Sequence, residues 1–129
     1  MPEPKEVMGI GLDEFRSSVS TMAESVYRFH ERFGIPAADV ANIEATLDAL
    51  RRRLALLAEE TGEHARALNR ADIPDACKEA ADIAYVALGT LLRLGQAGSQ
   101  ASLEVSRKND AKTPATHGQL SATGKILAK

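Results

Sequence analysis

Hydrophobic residues recur at helical spacing through most of the chain. From Phe15, the positions Val19, Met22, Val26, Phe29 and Phe33 follow a 4-3-4-3-4 rhythm. That rhythm predicts a helix over about Leu12–Phe33, with a seam for packing on other helices. Asp13 caps or charges its start, and Gly34 with Pro36 ends it. His30 lies beside the seam, as a surface histidine or as a ligand contact.

A second helix is predicted from Ala38 or Asp39 to Asn69. Val40, Ile43, Leu47, Leu50, Leu54, Leu57, Ala65 and Leu68 form one stripe on it. At about 100° per residue, Glu60 and Glu63 fall on another side, together with Ala49, Leu56 and Ala67. A purely solvated face rarely carries that mix. The helix is therefore expected to bury two sides, with the glutamates lining a semi-enclosed groove.

The segment "NRADIP" breaks the pattern, and Pro74 suits the first turn of a third helix, Pro74 to Leu94, ended by Gly95. Its main apolar face holds Cys77, Ala80, Ala81, Ala84, Leu88 and Leu91. Glu79 and Asp82 are neighbours on one face, among Ile83, Val86, Gly89 and Thr90. "GQAGSQ" reads as a turn, followed by a short helix from Ala101 to about Asn109 with Ser99 or Ser102 as its cap. Residues 1–11 read as a loose leader, 12–112 as the helical domain and 113–129 as an extended, mobile tail. The expected fold class is all-α, an up-and-down bundle of four to five helices with an irregular C-terminal tail.

Composition supports helix over sheet: aromatics are 4% of the 129 residues, there is no Trp, and Ala and Leu dominate. The net charge of −2 supplies no basic field for nucleic acid. The run Arg51–Arg53 reads as a solvated or ion-paired face. A lone cysteine excludes an intrachain disulfide, and Cys77 reads as a small buried hydrophobe. No apolar run is long enough for a membrane span, and the N-terminus lacks a signal-peptide core, so the cytoplasm is the expected location.

The glutamates change the picture. Glu59, Glu60 and Glu63 crowd one turn of helix around Gly62, where a glycine costs about 1 kcal/mol relative to alanine. Helices joined by a short turn run antiparallel. Glu63 precedes Leu68 by five residues and Glu79 follows Pro74 by five, which sets the two acidic groups face to face. Such a group needs protonation or a hard cation. Mg²⁺ suits the second remedy, because it takes a few carboxylates, keeps waters and binds phosphate. Gly62 would let a helix or ligand approach the backbone. A di-iron centre lacks its Glu-x-x-His pairs, and no Ca²⁺-binding loop of the helix–loop–helix type is present. The remaining alternative pairs the glutamates with arginines such as Arg66 and leaves Glu79 and Asp82 at the surface.

"EETGE", fifteen residues and then "EAAD" resemble the EExxE and ExxD signature of the MazG-like all-α nucleoside triphosphate pyrophosphohydrolases. This superfamily includes phosphoribosyl-ATP pyrophosphohydrolase and the dimeric deoxyuridine triphosphatases. "LRRRLALLAEE" and "DIAYVALGTLLRLG" fit its helices. "EVSRKNDAK" and "GQLSATGKILAK" are similar to its bacterial deoxyuridine-triphosphatase-like branch, whose members continue into a Pro- and Gly-containing segment.

The resemblance, which covers about Tyr27 to Lys129, implies metal-dependent cleavage between the α- and β-phosphates of a nucleotide. It implies Glu60, Glu63, Glu79 and Asp82 as Mg²⁺ ligands, with Mn²⁺ as a substitute ion. Glu59 would ligate a second ion or orient the attacking water, with Glu59 and Glu60 as the catalytic carboxylates. Asn109 and Lys112 would contact the nucleoside triphosphate, followed by Arg107 and Lys125 as phosphate contacts and His30 with Phe29 near the base. A layer this thin cannot bury both sides of its long helix alone, so a homodimer through the second and third helices is expected, or a tetramer of two dimers. The competing readings are a non-catalytic helical adaptor that dimerises, and a nucleic-acid module using Arg51–Arg53, which the net charge disfavours.

Overall fold

The computed structural model describes residues 2–129; Met1, the first residue of the leader, lies outside the described residues. Helix α1 spans Pro4–Met8, α2 Leu12–Arg32, α3 Ile43–Asn69, α4 Ile73–Arg93 and α5 Gln96–Asp110, and the strands β1 His117–Leu120 and β2 Ile126–Ala128 follow. The chain is all-α apart from that one hairpin, in agreement with the predicted class.

Local chemistry explains where the boundaries moved. The leader is not wholly loose: Pro4 pre-sets the first turn of α1, and Gly9 closes it at φ 73. Asp13 charges the first turn of α2 and pairs with Arg16 at 3.3 Å, whereas Gly11 holds the cap position. Helix α3 starts four to five residues later than expected. The Asp39 carboxylate accepts from the Ala41 amide at 3.1 Å, which builds a turn, and the Asn42 side chain then caps the helix by accepting from the Ala45 amide at 3.0 Å. Helix α5 begins at Gln96, so "GQAGSQ" is mostly helix and neither serine caps it. Gly95 makes the turn at φ 57, and buried Gly98 lies within α5 against the Leu91 backbone. A glycine used for close packing had the appearance of a turn residue. The tail is ordered too: His117–Leu120 and Ile126–Ala128 pair antiparallel across a turn with Gly124 at φ 83.

The centre of the fold is the α3–α4 hairpin. Ala71 turns the chain at φ 54, the Asp72 carboxylate caps α4 by accepting from the Asp75 amide at 3.1 Å, and Arg70 pairs with Asp75 at 2.8 Å. Alanines at 49, 67 and 76 are buried along the seam, so the two backbones approach closely. Helix α2 joins α4 through Val26, a Ser25–Tyr85 hydrogen bond of 3.1 Å and an edge-on Phe29–Tyr85 contact.

The seam uses faces other than the expected ones. On α4 the buried residues are Ala76, Glu79, Val86 and Gly89, whereas Cys77, Ala80, Ala81 and Ala84 are exposed and Leu88 and Leu91 are half-buried. Cys77 is thus a surface thiol. On α3 most of the predicted stripe faces outward, with Ile43 70% and Leu54 64% exposed, while Leu50 and Leu57 are half-buried. On α2, Val26 is buried, but Phe15, Val19 and Phe33 are exposed. Within one chain the seam is chosen by close approach of small and polar residues, so the larger apolar faces stay unpaired.

Gly62 and Gly98 have opposite surroundings. A methyl group at Gly62 meets only the Arg66 guanidinium, at 3.5 Å, so no neighbouring helix comes close there. A methyl group at Gly98 would overlap the Leu91 carbonyl. Gly98→Ala is therefore expected to destabilise the fold by about 1–3 kcal/mol. Gly62→Ala is expected to stabilise it by up to about 1 kcal/mol. Urea denaturation of the two variants measures both signs.

Candidate metal and phosphate site

The α3–α4 turn sets the level at which side chains of the two helices meet. Glu60 and Glu63 lie two turns before the end of α3, and Glu79 and Asp82 lie two turns into α4. Carboxylate oxygens of Glu60, Glu79 and Asp82 come within 4.8 Å of one another. Glu79 is only 7% exposed, and Glu60, Glu63 and Asp82 are half-buried. The Oε2 atoms of Glu60 and Glu79 are buried with no hydrogen-bond partner. A buried, unpartnered carboxylate oxygen is costly unless a cation or a proton satisfies it.

Electrostatics agree with the geometry. Burial, then the charges of Glu63, Asp82 and Glu59, raise the Glu60 carboxyl above the usual carboxylate range. Burial, then the charges of Glu63 and Asp82, raise Glu79 in the same way. Glu63 thus lies close enough to act on both. No ion pair joins any of these acids to Arg66 among the described residues, and neither Glu79 nor Asp82 is at the open surface. The surface-pairing alternative does not describe this cluster. The donor set, oxygens from the three carboxylates of Glu60, Glu79 and Asp82 on two helices, with Glu63 close by, fits a hard divalent cation.

The other candidate residues lie elsewhere. Glu59 is exposed, one position around the helix from the cluster. Asn109, Lys112 and Lys125 line a separate cleft of about 560 Å³ between the end of α5 and the hairpin, with Thr113, Pro114 and His117. Lys112 Nζ donates to Asn109 Oδ1 at 3.1 Å. Arg107 is exposed and does not line that cleft. His30 is not a surface residue: it is 6% exposed and sits against α4 beside Arg53.

Three polar groups escaped the sequence reading. Arg53 belongs to a run that looked solvated, yet it is half-buried while Arg51 and Arg52 are exposed. Its spacing of seven residues from Glu60 places it on the glutamate face, which is the signal that could have found it. His64, one turn after Glu60, has a buried Nδ1 without a partner. His117 joins the cleft only because the tail folds back as a hairpin.

Raised carboxyls make folding proton-linked. The folded chain holds protons on Glu60 and Glu79 more tightly than the unfolded chain does. Their stabilising contribution is complete below the unfolded carboxylate range and is lost as pH rises through the raised values. In EDTA, the melting temperature is expected to carry such a fall from mildly acidic to neutral pH. Glu79→Gln should melt above the wild type at neutral pH, with the gap closing on acidification; calorimetry across that range checks both.

A family model described as Phosphoribosyl-ATP pyrophosphohydrolase matches residues 26–109. The match runs from α2 through α5 and contains Glu60, Glu63, Glu79 and Asp82. No curated protein and no solved structure matches the chain. No helix among the described residues is long and apolar enough to cross a membrane. With its acid-lined helical hairpin inside the matched span, the chain belongs to the phosphoribosyl-ATP pyrophosphohydrolase family of the MazG-like nucleotide pyrophosphohydrolases.

Proposed function

We propose that the protein is a Mg²⁺-dependent nucleoside triphosphate pyrophosphohydrolase that cleaves the bond between the α- and β-phosphates, releasing a monophosphate and pyrophosphate. The observation that carries this reading is the pair of buried, unpartnered oxygens on Glu60 of α3 and Glu79 of α4, which meet at the seam together with a carboxylate oxygen of Asp82. Carboxylates alone repel a triphosphate, so a cation is needed for binding as well as for rate.

Glu60, Glu63, Glu79 and Asp82 would hold the ion, with Mn²⁺ as a substitute of similar oxygen preference. When bound, Mg²⁺ neutralises phosphate oxygens and the leaving pyrophosphate. Glu59 lies at the solvent edge of the cluster, where a carboxylate can orient the attacking water and take its proton. Burial and the neighbouring carboxylates raise the Glu60 carboxyl, which strengthens it as a proton acceptor. The water oxygen attacks phosphorus, the bridging P–O bond breaks on the opposite side, and the proton passes to the carboxylate. Asn109, Lys112 and Lys125 provide a cationic cleft for substrate phosphates, and Arg107 lies exposed near the end of the same helix.

The exposed stripe of Ile43, Leu47 and Leu54 on α3, with the exposed alanines of α4, supports a homodimer through that hairpin, or a dimer of dimers. A cytoplasmic role in clearing unwanted nucleotides fits this chemistry.

Incubation with a panel of deoxynucleoside triphosphates and Mg²⁺ tests the reading. Monophosphate and pyrophosphate are the expected first products, and orthophosphate as the first product overturns it. Loss of an outer-shell partner of a metal site costs about 10–100-fold, so Glu63→Gln and Asp82→Asn are each expected to lower turnover by more than about 100-fold. Circular dichroism should show the helices intact in both variants. Mg²⁺ is also expected to raise the melting temperature. A non-catalytic adaptor would show neither effect.

A further inference from the structure

The cleft between the end of α5 and the C-terminal hairpin gathers nitrogen donors from separate stretches of chain. Lys112 follows α5, His117 opens β1 and Lys125 stands just before β2. No carboxylate lines the cleft, and no ion pair engages either lysine among the described residues. Pro114 and Ile126 supply apolar wall, and the volume of about 560 Å³ leaves room for a nucleotide-sized ligand.

Hydrogen bonds hold these groups in place. Both ends of the Asn109 amide are engaged inside the chain: Nδ2 donates to the Val105 carbonyl at 2.9 Å, and Oδ1 accepts from Lys112 Nζ at 3.1 Å. Asn109 thus ties Lys112 to the end of α5, and the ammonium keeps further donors for a ligand. A turn closed by the His117 amide on the Thr113 carbonyl, at 2.8 Å, sets the imidazole in the wall. His117 Nδ1 meets Thr116 Oγ1 at 2.8 Å. The Thr116 hydroxyl can donate its one hydrogen to Nδ1, or give it to the Thr113 carbonyl 3.3 Å away and accept from Nδ1 instead. Either way Nδ1 is satisfied, and Nε2 has no partner among the described residues. Nε2 is therefore free to carry a hydrogen and donate it to a ligand in the cleft.

We infer that His117 is a phosphate-binding residue of this cleft, acting through Nε2 beside Lys112 and Lys125, and that Asn109 is a positioning residue that acts through Lys112. Charged donors to phosphate oxygens make short, strong hydrogen bonds. Two ammonium groups and an imidazole, brought from separate segments, match a polyphosphate better than a single phosphate. The ligand is a polyphosphate chain, either the end of a nucleoside triphosphate or free pyrophosphate. Naming a nucleotide as its source rests on the hydrolase reading, whereas the anion chemistry of the cleft needs neither the cation nor turnover.

The test uses the whole protein in EDTA, so that no cation bridges phosphate to the acidic cluster. Pyrophosphate, orthophosphate and an α,β-imido deoxynucleoside triphosphate are titrated separately. The ring signals of His117 are followed by NMR, assigned with His117→Ala. Pyrophosphate is expected to shift them saturably and to bind at least about tenfold more tightly than orthophosphate. A tighter response to the triphosphate identifies substrate as the occupant, and a tighter response to pyrophosphate identifies product. His117→Ala and Lys112→Gln are each expected to weaken pyrophosphate binding at least about tenfold. Asn109→Ala should weaken it too, yet add nothing in the Lys112→Gln background. Pyrophosphate that does not bind, or binds while the His117 signals stay fixed, overturns the inference. Additive losses from Asn109→Ala and Lys112→Gln overturn the positioning role. Nucleotide turnover with Mg²⁺ is measured separately: turnover without a His117 response sinks this inference alone, and a response without turnover sinks the hydrolase reading alone. The wild-type titration decides even if a variant fails to fold.

Discussion

Everything at the α3–α4 seam depends on carboxylates held inside a helical hairpin without protein counter-charge. Glu79 is buried, Glu60 and Asp82 are half-buried, and their oxygens converge from two helices whose register is set by one short turn. Like charges at this spacing push the helices apart unless a proton or a cation joins them. The hairpin resists through rigid backbone and small residues: Ala67 and Ala76 close the turn end, and the Asp72 cap with the Arg70–Asp75 pair fixes where α4 begins. The mutual repulsion of these carboxylates is the property that a divalent cation would relieve.

The seam is also electrically ordered along its length. Acids occupy the half near the turn, and Arg53, Arg93 and His30 occupy the half toward the open ends of the helices. Each half relies on small residues. Alanines bring the backbones together near the acids, and Gly89 makes room for the guanidinium near the bases.

The cost of a polar seam appears on the outside. Burying acids and arginines between α3 and α4 leaves the leucine stripe of α3 and the alanine face of α4 without partners in the single chain. Among the described residues only five hydrophobic ones are buried, and no large side chain is fully enclosed. Little apolar area is therefore removed from water within one chain, which makes association through those faces the natural way to complete the core.

Helical class, the four longer helices and the meeting of Glu60 with Glu79 and Asp82 were legible in the sequence, because they rest on local spacing and on one short connection. The three clustered carboxylates needed only periodicity and the antiparallel rule. Which faces pack was not legible. Hydrophobicity pointed to Cys77, Ala80 and Ala84, yet close approach selected Ala76, Val86 and Gly89. His30 and Arg53 looked solvated because their burial depends on a glycine of a third helix, far away in sequence. Gly98 and the C-terminal hairpin were misread for a related reason: a glycine or a short polar stretch gains its meaning from what lies against it. The sequence by itself determined the elements and the acidic constellation, through periodicity and charge. The tertiary structure decided which faces meet and where the cations turn inward, because those outcomes depend on contacts between residues far apart in the chain.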